Sequence, residues 1–194
     1  DGLTSVAVNG AGTSLSGVVN GDVVTLSGLS GTFANRNVGT GKTFTVSGAT
    51  LSGAGASNYV LDPATSVTGL GDITQQASVT WVGAASGNWS TAANWALSSD
   101  LTKTGALPDG NNVALAIIPS TFTATVTADT ANAYTGKVQV NGGTLAVGTE
   151  NYLGTAPGAA VADAITLDGG TLQLTNTLTL NANRGVTLGM SGGT

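Results

Sequence analysis

The sequence predicts an all-β chain: a small β-sandwich or grasp-like domain followed by the first rungs of a right-handed parallel β-solenoid. Three observations predict it. Short runs alternate apolar and polar residues, and no 3.6-residue periodicity occurs anywhere. One phrase, an alternating strand, a glycine pair and a second strand, recurs as VQVNGGTLAV from Val138 and ITLDGGTLQL from Ile165, and in shortened form as VTLGMSGGT from Val186. These copies start 27 and 21 residues apart, the period of a coil that buries its apolar face only by stacking on its neighbours. Finally, 41% of residues are apolar but only 5% aromatic, so Val, Leu, Ile and Ala must build thin layers.

Taken in order, residues 1–76 read as short strands between turns. Val18, Val19, Asn20-Gly21 and Val23 to Leu26 predict a hairpin, because Asn-Gly tolerates the positive φ of a tight turn. Thr43 to Val46 alternates as a strand, and Asn58 to Leu61 predicts another, ended by Asp62-Pro63. A polar link at 77–78, just after Gln75 and Gln76, separates a second part, 79–194. That part opens with Trp81, Trp89 and Trp95, the only tryptophans in the chain. A Trp-rich cap over the open end of a solenoid is the structural reading; a glycan-stacking platform is the functional alternative. Pro108-Asp109-Gly110 is a turn, Val113 to Ile118 a buried strand, and Phe122 to Thr127 places Phe122, Ala124 and Val126 on one face. The expected core continues through Val138, Val140, Leu145, Val147, Ile165, Leu167, Leu172, Leu174, Leu178, Leu180, Val186 and Leu188. At roughly 22 residues per rung there is room for about five rungs, or about 24 Å of axis.

The net charge is -5, and the five basic residues, Arg36, Lys42, Lys103, Lys137 and Arg184, are scattered. No patch can neutralise phosphates, so nucleic acid is not an expected partner. There is no cysteine and no histidine, which removes disulfides, thiolate or imidazole metal sites and histidine-based triads. The longest apolar run, Val113 to Pro119, is too short to span a bilayer. The chain opens at Asp1 without Met or a signal peptide, which is read as a piece cut from a longer exported protein.

Two resemblances sharpen this reading. The segments GVVNGDVVTLSG, GTFANRNVGTGKTFTVSG, TLSGAGASNYVL and GDIT make the first 76 residues similar to the YDG-type repeat domain of large bacterial surface adhesins, with Asp1-Gly2 as the tail of the Tyr-Asp-Gly opening. VTWVGAASGNWSTAANW from Val79, LPDGNNVAL and LTLNANRGVTLG resemble the start of the β-solenoid passenger of autotransporter and filamentous-hemagglutinin-like proteins, in which Asn183, Arg184 and Gly185 would sit at a rung corner. The resemblance implies a secreted or surface-anchored stalk or spacer that serves cell–cell, cell-surface or matrix attachment. Its partner would be an unidentified glycan or protein, and self-association into filaments is possible in principle. It carries over no catalytic, cofactor or metal site.

Other motifs are weaker. VGTGKT, Val38 to Thr43, suggests a phosphate loop, but Arg36 stands where the loop needs glycine and a strand follows where it needs a helix. Asp163 and Asp168 are the only solenoid acids near one another, and they are the pair a polysaccharide-cleaving solenoid would need. The turn reading competes, since Asp168-Gly169-Gly170 matches Asn141-Gly142-Gly143 one repeat earlier. No cofactor is expected; a carbonyl-rich calcium site around Asp22 or Asp72 is the one alternative. Asn88-Trp89-Ser90 is formally a glycosylation sequon.

Overall fold

A computed structural model describes residues 3–8, 15–62 and 67–194. Asp1-Gly2 of the expected domain opening and Pro63 of the expected Asp62-Pro63 turn lie outside the described residues. The structure is almost entirely β, as expected, and divides into two compact units, Leu3–Asp72 and Ile73–Thr194. Among the described residues no helix is long and apolar enough to cross a membrane.

The first unit contains β1 (Ser5–Ala7), β2 (Thr25–Ser27), β3 (Ser30–Phe33), β4 (Gly39–Ser47), β5 (Thr50–Ser52) and most of β6 (Val67–Ile73). Four strands form one sheet in the order β1-β3-β4-β6, and β2 pairs with β5 as a two-stranded antiparallel ribbon. Period-two alternation dictates the core. In β3 and β4, Phe33 and Phe44 point to one face and meet edge to face, with ring centres 5.5 Å apart. Gly69 on β6 makes room for them, since a Cβ there would collide with the tip of the Phe44 ring.

Two sequence expectations fail in this unit. Asn20-Gly21 does turn, with Asp22 N–H bonded to Val19 C=O at 3.0 Å, but its flanks do not pair as a hairpin. Val19 N–H is taken by the Tyr59 hydroxyl and Val23 C=O by Gly55 N–H, so β2 finds its partner in the distant β5. Asn58 to Leu61 forms no strand either. Ala56–Asn58 is a single 3-10 turn, which aims the Tyr59 hydroxyl at Asp22 Oδ2, 2.6 Å away.

The second unit contains β7 (Val79–Trp81), β8 (Gly87–Asn88), β9 (Trp95–Leu97), β10 (Asp100–Thr104), β11 (Leu115–Ile118), β12 (Thr125–Ala128), β13 (Lys137–Val140), β14 (Thr144–Val147), β15 (Val161–Leu167), β16 (Thr171–Leu174) and β17 (Arg184–Leu188). One sheet runs β10-β9-β7-β11-β13-β15-β17 and the other β16-β14-β12-β8. Pairing from β7 and β8 onward is parallel, with one register shift between Val161 and Ile165 of β15: Val138 lies beside Ile165 and Ile165 beside Val186, which reproduces the repeat spacing. Each rung thus contributes one strand to each sheet, and stacking supplies both the hydrogen bonds and the apolar contacts.

The solenoid makes about three turns from residue 115, not five. The shortfall arises before residue 115: β7 and β8 pair parallel with the first full rung, but β9 and β10 run antiparallel and close one end of the sheet. The expected link is also partly ordered into the unit: Gln76 forms a parallel bridge with Val113, and Ser78 C=O accepts Ser98 N–H.

Side chains of Ala116, Val138 and Ile165, of Ile118, Val140 and Leu167, and of Val126 and Leu145 fill the interior in columns. Each fully buried Val, Leu or Ile contributes on the order of 1.5–3 kcal/mol. The columns then open: Leu174, Val186 and Leu188 are 48%, 43% and 61% exposed. Leu178 and Leu180, expected as core strand residues, lie outside any strand and are only half-buried. They sit between β16 and β17, the outermost strands of the two sheets, where stacking is least complete.

Candidate functional site

The aromatic residues converge at the capped end of the solenoid. Trp81 comes from β7, Trp95 from β9, and Trp89 follows the short β8. Trp81 and Trp95 meet edge to face at 5.3 Å, Trp89 and Trp95 at 4.6 Å, and Phe122 and Tyr134 extend the cluster from the first full rung. All three indoles are buried, at 2%, 5% and 0% exposure for Trp81, Trp89 and Trp95. Each ring N–H donates to a backbone carbonyl: Trp81 to Gly83 at 3.1 Å, Trp89 to Pro108 at 3.0 Å, and Trp95 to Trp89 at 2.9 Å. Tyr134 donates its hydroxyl to Lys137 C=O at 2.7 Å, and burial pushes its phenol well above the ordinary range. A stacking platform needs a ring face open to a sugar. In this conformation the three rings present their faces to one another and to the rung interior.

The acids are distributed and individually engaged. Asp163 binds Lys137 Nζ at 2.6 Å across neighbouring strands, and that bond holds its carboxyl below the usual carboxylate range. Asp168, at the other end of β15, instead accepts Ser191 N–H at 2.7 Å. The two carboxylates therefore serve different contacts and share no partner. Asp129 accepts both the amide and the hydroxyl of Ser90, at 3.1 and 2.6 Å, so the sequon's serine is tied down beside the buried Trp89. Asp100 accepts the amide and hydroxyl of Thr102, and the hydroxyl bond is the main reason its carboxyl also lies below the usual range. Around Asp22 and Asp72, the calcium alternative, Asp22 is bonded to Tyr59 and Asp72 to Gly41 N–H at 2.8 Å. No three acidic side chains gather into a metal-holding group among the described residues.

All of the VGTGKT segment after Val38 lies within β4 rather than before a helix. Its lysine, Lys42, donates to Asn35 Oδ1 at 2.7 Å and to Asn37 C=O at 2.5 Å. An amide that a phosphate would use is thus already bonded to Asp72, and the cation to a neighbouring loop.

Two arrangements left little trace in the sequence. Arg184 is buried, and its guanidinium forks to Glu150 Oε1 at 2.8 Å and to the carbonyls of Leu153 and Gly154 at 3.1 Å. Gly185 beside it lets the chain lie against Ala162, where any Cβ would strike backbone. Asn183, Arg184 and Gly185 were expected at a rung corner, whereas Arg184 and Gly185 open β17, and Glu150, 34 residues earlier, was not identifiable as the arginine's partner. The second is a row of facing hydroxyls in the first unit: Thr25 with Ser52 at 2.8 Å, Ser27 with Thr50 at 2.9 Å, and Ser30 with Ser47 at 3.1 Å. Behind the ribbon lies an open groove of about 420 Å³, lined by Val18, Val24, Leu26, Leu51, Tyr59 and Leu61.

No curated protein and no solved structure matches the chain. A family model described as the YDG domain matches residues 1–67, ending at the first residue of β6, so the first unit is similar to that domain while its sheet continues to Ile73.

Proposed function

We propose that this chain is a structural and adhesive segment of a secreted or surface-anchored bacterial adhesin, a stalk or spacer in cell–cell, cell-surface or matrix attachment. The observation that supports it most directly is the rung-on-rung parallel ladder from β11 to β17, preceded by a YDG-type unit. Parallel strands in register load many backbone hydrogen bonds together. The seven carboxylates described above support the same reading, since each holds a turn, a strand pair or a corner.

In this reading the segment carries other adhesive regions away from the cell, and any glycan or protein partner is met through the exposed surface rather than the buried indoles. Single-molecule pulling from the two ends tests it. The expected trace shows the solenoid unit resisting extension and releasing rung by rung. Extension without resolved force peaks, or turnover of a polysaccharide panel, would replace the stalk reading. Antibody labelling of intact producing cells checks the expected surface location; labelling that appears only after lysis would reject it.

A further inference from the structure

The dipeptide Asn-Gly occurs in both units, in opposite surroundings. In the first unit Asn20-Gly21 is the centre of an exposed turn, closed by Asp22 N–H on Val19 C=O at 3.0 Å. Gly21 has a φ of +101°, and among the described residues nothing lies within 4 Å of where a Cβ would sit. In the solenoid Asn141-Gly142 lies at a rung corner. There Asn141 N–H is bonded to Ile118 C=O at 2.8 Å, its Oδ1 is buried, and Gly142 is buried with the carbonyls of Pro119, Ser120 and Phe122 crowding the space a Cβ would take. A third pair, Asn9-Gly10, lies outside the described residues.

From this contrast we infer that Asn20 is a site of spontaneous covalent modification, where the side-chain amide is lost through a cyclic imide and the product releases Tyr59 from the turn. The Gly21 amide nitrogen attacks Asn20 Cγ, and its proton leaves with the departing ammonia, so a new C–N bond replaces the side-chain one and closes a succinimide ring. Water then opens the ring. Breaking the bond from Gly21 N to Cγ gives aspartate, whereas breaking the bond to the main-chain carbonyl carbon gives isoaspartate, in which the backbone runs through Cβ and Cγ. Overall one water is consumed and one ammonia released. Ring closure requires the side chain and the following peptide to rotate toward one another. A glycine with open space about its Cα resists that rotation least, whereas at the rung corner the same rotation must first break the contacts that hold Asn141 and Gly142.

The product acts on the groove of the first unit. The Tyr59 hydroxyl accepts Val19 N–H at 2.9 Å and donates to Asp22 Oδ2 at 2.6 Å, so both ends of the turn clasp one ring oxygen. That ring lines the groove with Val18, Leu26 and Leu51. Isoaspartate adds a carbon to the main chain between Val19 and Asp22 and leaves a free carboxylate close to that of Asp22. The spacing of the clasp is lost, and like charges oppose its repair. Tyr59 is therefore loosened in one direction only, on a clock set by the age of the chain. This inference is independent of the stalk reading, because the chemistry requires neither surface export nor load.

Ageing the full chain in mildly alkaline buffer, where amide deprotonation speeds ring closure, tests it when followed by peptide mapping with fragmentation that separates Asn20 from Asn9. Conversion at Asn20, to a mixture of aspartate and isoaspartate, should outrun conversion at Asn141 at least about tenfold, because the rung must first open locally. Hydrogen exchange at the Val19 amide should quicken in the aged protein, since that amide is held by Tyr59. Asn20→Gln keeps an exposed amide but needs a larger ring, so its fresh and aged forms should exchange alike at Val19. An Asn20 that stays intact, equal conversion at Asn20 and Asn141, conversion without faster exchange at Val19, or the same quickening in aged Asn20→Gln would overturn the proposal.

Discussion

Arg184 holds more of the solenoid together than its single charge suggests. A buried guanidinium is tolerable only when its donors are satisfied, and here one carboxylate and two carbonyls from 150–154 do so. Arg184→Ala removes the cation, leaves Glu150 and both carbonyls unpaired, and is expected to cost about 3 kcal/mol in urea unfolding. Arg184→Lys should recover only part of that loss, because an ammonium cannot reproduce the planar fork. In the first unit, Gly69→Ala drives a methyl into the Phe44 ring and should destabilise by about 1–3 kcal/mol, read as a lower melting temperature. Acid sensitivity also belongs at this scale. The folded-state pKa values of Asp163 and Asp100 lie below those of the unfolded chain, so their contribution is complete above the unfolded value near about pH 4. It is lost as pH falls through the lower folded values, and Asp163→Asn should flatten the acid limb of the melting curve.

Among the elements, the capping end combines β-pairing with aromatic packing. Trp95 lies on β9 beside Trp81 on β7 and is fully buried, so Trp95→Ala opens a cavity at the junction of cap and first rung. A loss of about 3–5 kcal/mol is expected, with faster hydrogen exchange at β7 and β9 before β13 and β15. The strands most legible in the sequence, β13 to β16, are those where alternation and the glycine pair coincide, because the stack imposes the same inward positions on every rung. The hairpin expected around Asn20-Gly21 was not legible as an error, since local turn chemistry is correct there and the deciding partners, Tyr59 and Thr50–Ser52, are far away in sequence. The three tryptophans stand out in the sequence as a cluster, yet alternation alone could not show that their ring faces turn inward. Likewise Leu178 and Leu180 keep a strand-like pattern, but burial depends on a neighbour above as well as below.

For the whole molecule, the two units differ sharply in how much apolar surface they bury. Among the described residues Phe33 is the one buried apolar side chain within Leu3–Asp72, whereas the interior columns and the aromatic cluster all lie in Ile73–Thr194. Calorimetry should therefore resolve two transitions, with the first unit melting at lower temperature; a single cooperative transition would show the units to be energetically coupled. Unequal rungs carry a further consequence. Between β14 and β15 the chain leaves both sheets for residues 148–160, including the 3-10 turn Glu150–Leu153, and returns with Val138 and Ile165 still in register. Length is thereby stored outside both sheets. Gly158 has open space around it, whereas Gly142 sits against the backbone of Pro119, Ser120 and Phe122. A Gly-Ser pair inserted after Gly158 should leave melting nearly unchanged, and the same insertion after Gly142 should disrupt the rung. Gly158 thus marks a place where new sequence can be added, and a loop grown there would project from the stack without altering the step between rungs.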